Sequence, residues 1–157
     1  MLTLKLALQG GGAHGAFTWG ALARLLELPG LAIEAISGTS SGAMNAAALA
    51  QGWARGGADG ARASLDAFWQ GLAGRNAVAD WWHAQSRLFG DALPWPQPAT
   101  AGHGGVNPLR SMVEEFFDVD VLRHGPVALY VAATRMRDGA LEVFSGARLS
   151  HDALLAS

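Results

Sequence analysis

The sequence contains no cysteine, which excludes a disulfide framework, a thiolate metal site and a cysteine nucleophile. Charge is also scarce: 15% of the residues are Asp, Glu, Lys or Arg, and the formal net charge is -2. Eleven Lys and Arg residues without a basic cluster cannot make the electrostatic footprint that nucleic acid requires, so no nucleic-acid partner is expected. No apolar run approaches the roughly 18 residues of a membrane-spanning helix. The opening stretch, residues 1–9, is too short for a signal-peptide core and passes into glycines without a small-residue cleavage site. A soluble, cytoplasmic protein is the expectation. What is present is a chain of 157 residues, half of them hydrophobic, which can bury one substantial core and does not read as disordered.

The order of the apolar runs points to an α/β architecture. Residues 2–8 are short, aliphatic and closed by glycines, which suits a buried strand of a parallel sheet. After the loop Gly10-Gly11-Gly12-Ala13-His14-Gly15, apolar residues at Phe17, Ala21, Leu22, Leu25 and Leu26 recur at helical spacing until Pro29-Gly30. A second unit repeats the plan, with a strand over 31–36, a tight turn over 38–42 and an alanine-rich helix over 43–54. Two consecutive strand-loop-helix units imply a parallel sheet with packed helices.

Gly56-Gly57 ends that helix, Asp59-Gly60 reads as a turn and cap, and 62–72 forms another helix. Residues 76–106 read as a short helix and a long loop, in which Trp81, Trp82, Phe89 and Trp95 suit either a lid over an acyl chain or plain packing. A helix follows from Asn107-Pro108 to about Phe117. Residues 127–133 and 141–144 form a hairpin around Asp138-Gly139. Ser150-His151-Asp152 caps a last helix. The sequence ends inside that helix without a C-cap glycine, so residues 1–157 are expected to be the N-terminal portion of a single domain that is incomplete at its C-terminus.

Two motifs carry chemistry. Gly38-Thr39-Ser40-Ser41-Gly42, between a strand and a helix, matches the nucleophile elbow, which lifts a serine hydroxyl clear of the sheet at a helix N-terminus. The plain alternative is a linking turn with Ser40 or Ser41 as N-cap. Acyl transfer also needs donors aimed at the tetrahedral oxyanion. Gly10, Gly11 and Gly12 expose backbone N–H groups without side-chain obstruction, and both motifs fall at the carboxyl ends of strands, the ligand-binding edge of such sheets.

Together, Gly10-Gly11-Gly12-Ala13-His14-Gly15 and Gly38-Thr39-Ser40-Ser41-Gly42-Ala43 resemble the paired signature of the patatin-like phospholipases. The resemblance implies a three-layer α/β/α sandwich with a mainly parallel sheet, hydrolysis of phospholipids and related acyl esters, and a Ser-Asp dyad without histidine. It implies Ser40 as nucleophile and Gly10, Gly11 and Gly12 as oxyanion hole, with Gly15, Gly38 and Gly42 completing the motifs. The partner is then a lipid or acyl-ester substrate, with transient contact at a membrane surface, and no metal or organic cofactor. The sequence departs from the family at His14, where Arg or Lys is common. The dyad aspartate is expected beyond residue 157; Asp138 and Asp59 read as turn residues.

Other readings stay open. Gly10, Gly12 and Gly15 also fit the Gly-x-Gly-x-x-Gly dinucleotide fingerprint, with Glu34 as the acid that would hold a ribose. A catalytically inactive domain that binds lipid or a partner is a further alternative. None of His14, His83, His103, His124 and His151 falls in a motif tying it to Ser40.

Overall fold

The computed structural model describes residues 2–74 and 108–157. Four strands form one sheet in the order β1 (Leu2–Leu8), β2 (Leu31–Gly38), β3 (Ala128–Thr134) and β4 (Leu141–Ser145). β1 and β2 pair in parallel, as do β2 and β3, while β4 returns antiparallel to β3. The chain thus has the α/β fold its strand-loop-helix units require.

The β3–β4 turn forms as its sequence dictates. Gly139 has φ 69, and Asp138 accepts the Ala140 amide at 3.2 Å. This is the turn chemistry that Asp-Gly supplies.

Between β1 and β2 lies α1 (Gly15–Leu25), reached through a short 3-10 turn at Gly12–His14. Gly15, Leu22 and Leu26 are its buried positions, and Trp19 packs against the same core. A stripe at 15, 19, 22 and 26 leaves Phe17 on the outside, 82% exposed. Phe17, one of the apolar residues that recur at helical spacing, therefore lies off the core face, with Trp19 turned inward instead.

Helix α2 spans Ser41–Gly74 and is two helices joined across non-helical backbone at Gly56 and Gly57. The break falls where the glycine pair predicts it. Asp59-Gly60, expected as a turn and cap, instead lies within helix. The break at Gly56-Gly57 lets the second half of α2 begin before Asp59, and a Cβ added at Gly52 would sit 2.3 Å from the Gly60 carbonyl, so the two halves cross with backbone against backbone.

Helix α3 (Pro108–Phe116) and a short α4 (Val119–His124) lead to β3, and α5 (His151–Ala156) follows β4. Gln51, buried in α2, binds the turn between α3 and α4 from both ends of its amide. Its Nε2 donates to the Phe116 carbonyl at 3.0 Å and its Oε1 accepts the Asp118 N–H at 2.7 Å. Asp118 then caps α4, accepting the amides of Asp120 and Val121. Ser150 caps α5 in the same way, accepting from Ala153.

The core gathers where α2 lies on the sheet. Ile33, Ile36, Leu129 and Val131 from the strands meet Ala46, Ala47 and Leu49 of α2, all buried. The alanine-rich sequence of α2 follows from this, since small side chains let a helix approach a sheet closely without voids. On the opposite face of the sheet Lys5, Tyr130 and Val143 are exposed.

Candidate active site

Among the described residues Ser40 is the one non-glycine residue with positive φ, at 52. It stands between the last residues of β2 and the first of α2. The left-handed region costs an L-residue with a Cβ about 1–2 kcal/mol. The turn is held nonetheless by its own ladder: Gly42 N–H donates to the Thr39 carbonyl at 2.9 Å and Ala43 N–H to the Ser40 carbonyl at 2.9 Å. The strained residue is thus the middle of the strand-turn-helix elbow.

Ser41, the alternative cap, is 1% exposed, and its hydroxyl has no hydrogen-bond partner among the described residues. A capping serine would accept an amide of the first helical turn. Ser41 does not.

The two glycine motifs interlock. A Cβ at Gly10 would lie 3.0 Å from the Ser40 Cβ and 3.1 Å from the Thr39 carbonyl. One at Gly15 would lie 2.7 Å from the Ser41 Cβ, and one at Gly42 only 2.3 Å from the Leu8 carbonyl. Gly38 is closed off by the backbone of Gly42 at 2.5 Å. Gly10 and Gly15 are therefore required by the elbow, Gly42 by the end of β1, and Gly38 by the elbow's own backbone. Among the described residues the amides of Gly10, Gly11 and Ser41 have no backbone acceptor. Gly12 is buried, with φ 60.

Beside Ser40 opens a narrow pocket of about 50 Å³, walled among the described residues by Met44, Phe68, Trp69, Leu72, Leu154 and Leu155. Ser40, Ser41, Leu109 and Ser157 complete the lining, and no carboxylate or imidazole side chain of the described residues is part of it. Its shape is fixed by aromatic packing. Trp69 stacks on Trp19 with 6.2 Å between centroids and meets the edge of Phe68 at 5.8 Å.

Behind the wall runs a buried polar chain. Trp69 Nε1 donates to Asn45 Oδ1 at 2.8 Å, and Asn45 Nδ2 donates to the Gly15 carbonyl at 2.9 Å. Asn45 was not singled out from sequence. An asparagine inside an alanine-rich helix was the available signal, since a buried amide demands partners on both sides.

The remaining candidates lie elsewhere. His124 Nδ1 is 3.0 Å from the Asp120 carbonyl and His151 Nε2 is 2.8 Å from the Phe117 carbonyl. Asp138 is held in its hairpin by Arg135 at 3.2 Å. Glu34 is the unpaired residue of a bulge in β2 and faces Lys5 at 3.2 Å, not the glycine loop, which removes the acid that a dinucleotide reading requires. His83, His103, Trp81, Trp82, Phe89 and Trp95 lie outside the described residues.

Fold and site together define an α/β protein with a serine elbow at the carboxyl edge of a mainly parallel sheet. Residues 6–147 match the family model of the patatin-like phospholipases, and the chain belongs to that family, whose members act on lipid substrates. No curated protein and no solved structure matches it.

Proposed function

We propose that the chain is the Ser40-bearing part of a carboxylic ester hydrolase that cleaves lipid acyl esters through an acyl-enzyme. The observation that carries this reading is the position of Ser40: its strained elbow packs against Gly10 and opens on a narrow, mainly apolar pocket. In this scheme the substrate carbonyl oxygen lies on the amides of Gly10, Gly11, Gly12 and Ser41. Ser40 Oγ attacks the carbonyl carbon and gives its proton to the dyad aspartate, expected beyond residue 157. The tetrahedral intermediate expels the alcohol, which takes that proton, and leaves Ser40 acylated. Water, deprotonated by the same carboxylate, then attacks the acyl-enzyme; the tetrahedral intermediate expels Ser40 Oγ, which takes that proton back, and the fatty acid is released. A cytoplasmic setting and transient contact with a lipid surface belong to the proposal.

The test is reaction with a fluorophosphonate probe, read by intact mass, beside hydrolysis of a 4-nitrophenyl ester. Wild-type protein should gain one adduct and turn over ester; Ser40→Ala should do neither while keeping its melting temperature. An adduct retained in Ser40→Ala rejects Ser40 as nucleophile. A second reading, a non-catalytic lipid-binding domain, is favoured by one observation: no described side chain lining the pocket can act as a base. It predicts no adduct and no turnover in the wild type, with saturable binding of a fatty acid.

A further inference from the structure

The glycine loop is held by a side chain that the scheme above does not use. The Gly11 carbonyl accepts two hydrogen bonds from one residue, from the His14 backbone N–H at 3.1 Å and from His14 Nδ1 at 3.0 Å. A carbonyl can only accept, so Nδ1 carries the hydrogen. The peptide between Gly11 and Gly12 is trans, and in a planar trans peptide the N–H leaves on the side opposite the C=O. Holding the Gly11 oxygen toward His14 therefore aims the Gly12 N–H the other way. His14 is exposed and Gly12 is buried. A peptide flanked by two glycines meets little steric resistance to flipping, and a flip would turn the carbonyl to the place the N–H had occupied, replacing a donor by an acceptor.

We infer that His14 is a positioning residue that locks the Gly11–Gly12 peptide with its N–H toward the oxyanion, through the second hydrogen bond that its ring adds to the Gly11 carbonyl. The inference rests on the reading of residues 10–12 as an oxyanion hole. The role needs a donor at the Nδ1 position and no charge, so a neutral side chain can fill it. Asparagine carries an N–H at the equivalent atom; alanine carries none.

The experiment compares the full chain with His14→Ala, His14→Asn and Ser40→Ala. It measures kcat and KM for a 4-nitrophenyl ester, and Ki for an alkyl trifluoromethyl ketone that forms a tetrahedral adduct with the serine. His14→Ala should lower kcat by about 3- to 10-fold, the value of one hydrogen bond, with KM within about twofold. Ki should rise by the same factor as kcat/KM falls, because the donor is felt only by the tetrahedral species. His14→Asn should restore both, and the melting temperatures should agree. Wild-type kcat and Ki in His14→Ala overturn the inference, as does a His14→Asn enzyme as slow as His14→Ala. Failure of the underlying site would look different, with the ketone and the ester reaction both insensitive to Ser40→Ala.

Discussion

The side-chain amide of Asn45 donates to the carbonyl of Gly15 across 2.9 Å, tying the helix that follows the elbow to the end of the glycine loop. Its other atom is committed as well, to the indole of Trp69. Removing this amide leaves the buried indole N–H without its partner and takes from the Gly15 carbonyl its second hydrogen bond, beside the one it accepts within α1. An orphaned buried donor costs about 1–3 kcal/mol. Asn45→Ala should therefore lose roughly 1–3 kcal/mol of unfolding free energy in urea. A loss under about 1 kcal/mol would mean that the chain from Trp69 to Gly15 is not closed in solution.

Two glycine substitutions should move stability in opposite directions. At Gly42 a Cβ would lie 2.3 Å from the Leu8 carbonyl and 2.7 Å from that of Gln9, with backbone on the receiving side and no flexible group to yield. Gly42→Ala should force the elbow and the glycine loop apart, costing about 2 kcal/mol or more. Gly20 lies in the middle of α1 with open space around it. Gly20→Ala should raise stability by about 0.5–1 kcal/mol, the difference in helix propensity. Thermal melts of the two variants beside the wild type decide both.

The parts of this fold legible in sequence are those set by local rules. Glycine pairs end helices, Asp-Gly makes a hairpin turn, and short aliphatic runs closed by glycine make parallel strands; β1, β2, the break at Gly56-Gly57 and the β3–β4 hairpin all follow. What was not legible depends on pairs of distant residues. The rotation of α1 that exposes Phe17 is decided by Trp19, whose indole finds Asp66 at 2.7 Å and the face of Trp69. The helical state of Asp59-Gly60 goes with a crossing that brings its backbone against Gly52. The closeness of Gly10 to Ser40 was implied by two motifs at one sheet edge, whereas the polar chain behind them hid in a single asparagine among alanines.

The hairpin edge should hold its ion pairs until the pH falls below the ordinary glutamate range. The Glu142 carboxylate accepts from Arg135 at 2.7 Å and also from Arg148. The hydrogen bond to Arg135 and then that to Arg148 hold its pKa below the ordinary glutamate value. A depressed folded-state pKa contributes stability that is present above the unfolded-state pKa and lost as pH falls through the folded-state value. The site is exposed, so the effect on global stability is small, and the readout is local. The Glu142 carboxyl resonance should titrate below that of a free glutamate, and Arg135→Ala should move its midpoint upward. A midpoint that ignores Arg135 would show that the ion pairs do not persist in water.

Ser40 and Ser41 are neighbours with opposite claims on stability and activity. Ser40 holds a left-handed backbone that glycine adopts without penalty. Ser40→Gly should therefore raise the unfolding free energy by about 1 kcal/mol while ester hydrolysis disappears, the trade expected where strain serves a site. Ser41 carries a buried hydroxyl without a partner among the described residues, and an unpaired buried polar group costs about 1–3 kcal/mol relative to an apolar one. Ser41→Ala should match or exceed the wild type in stability. It should retain hydrolysis, because the group assigned to the oxyanion is its backbone amide, which alanine keeps. Melting temperatures and initial rates for the two variants separate the roles. A destabilised Ser41→Ala would place a hydrogen-bond partner at that hydroxyl in solution, and a Ser40→Gly no more stable than the wild type would mean that the elbow is not strained.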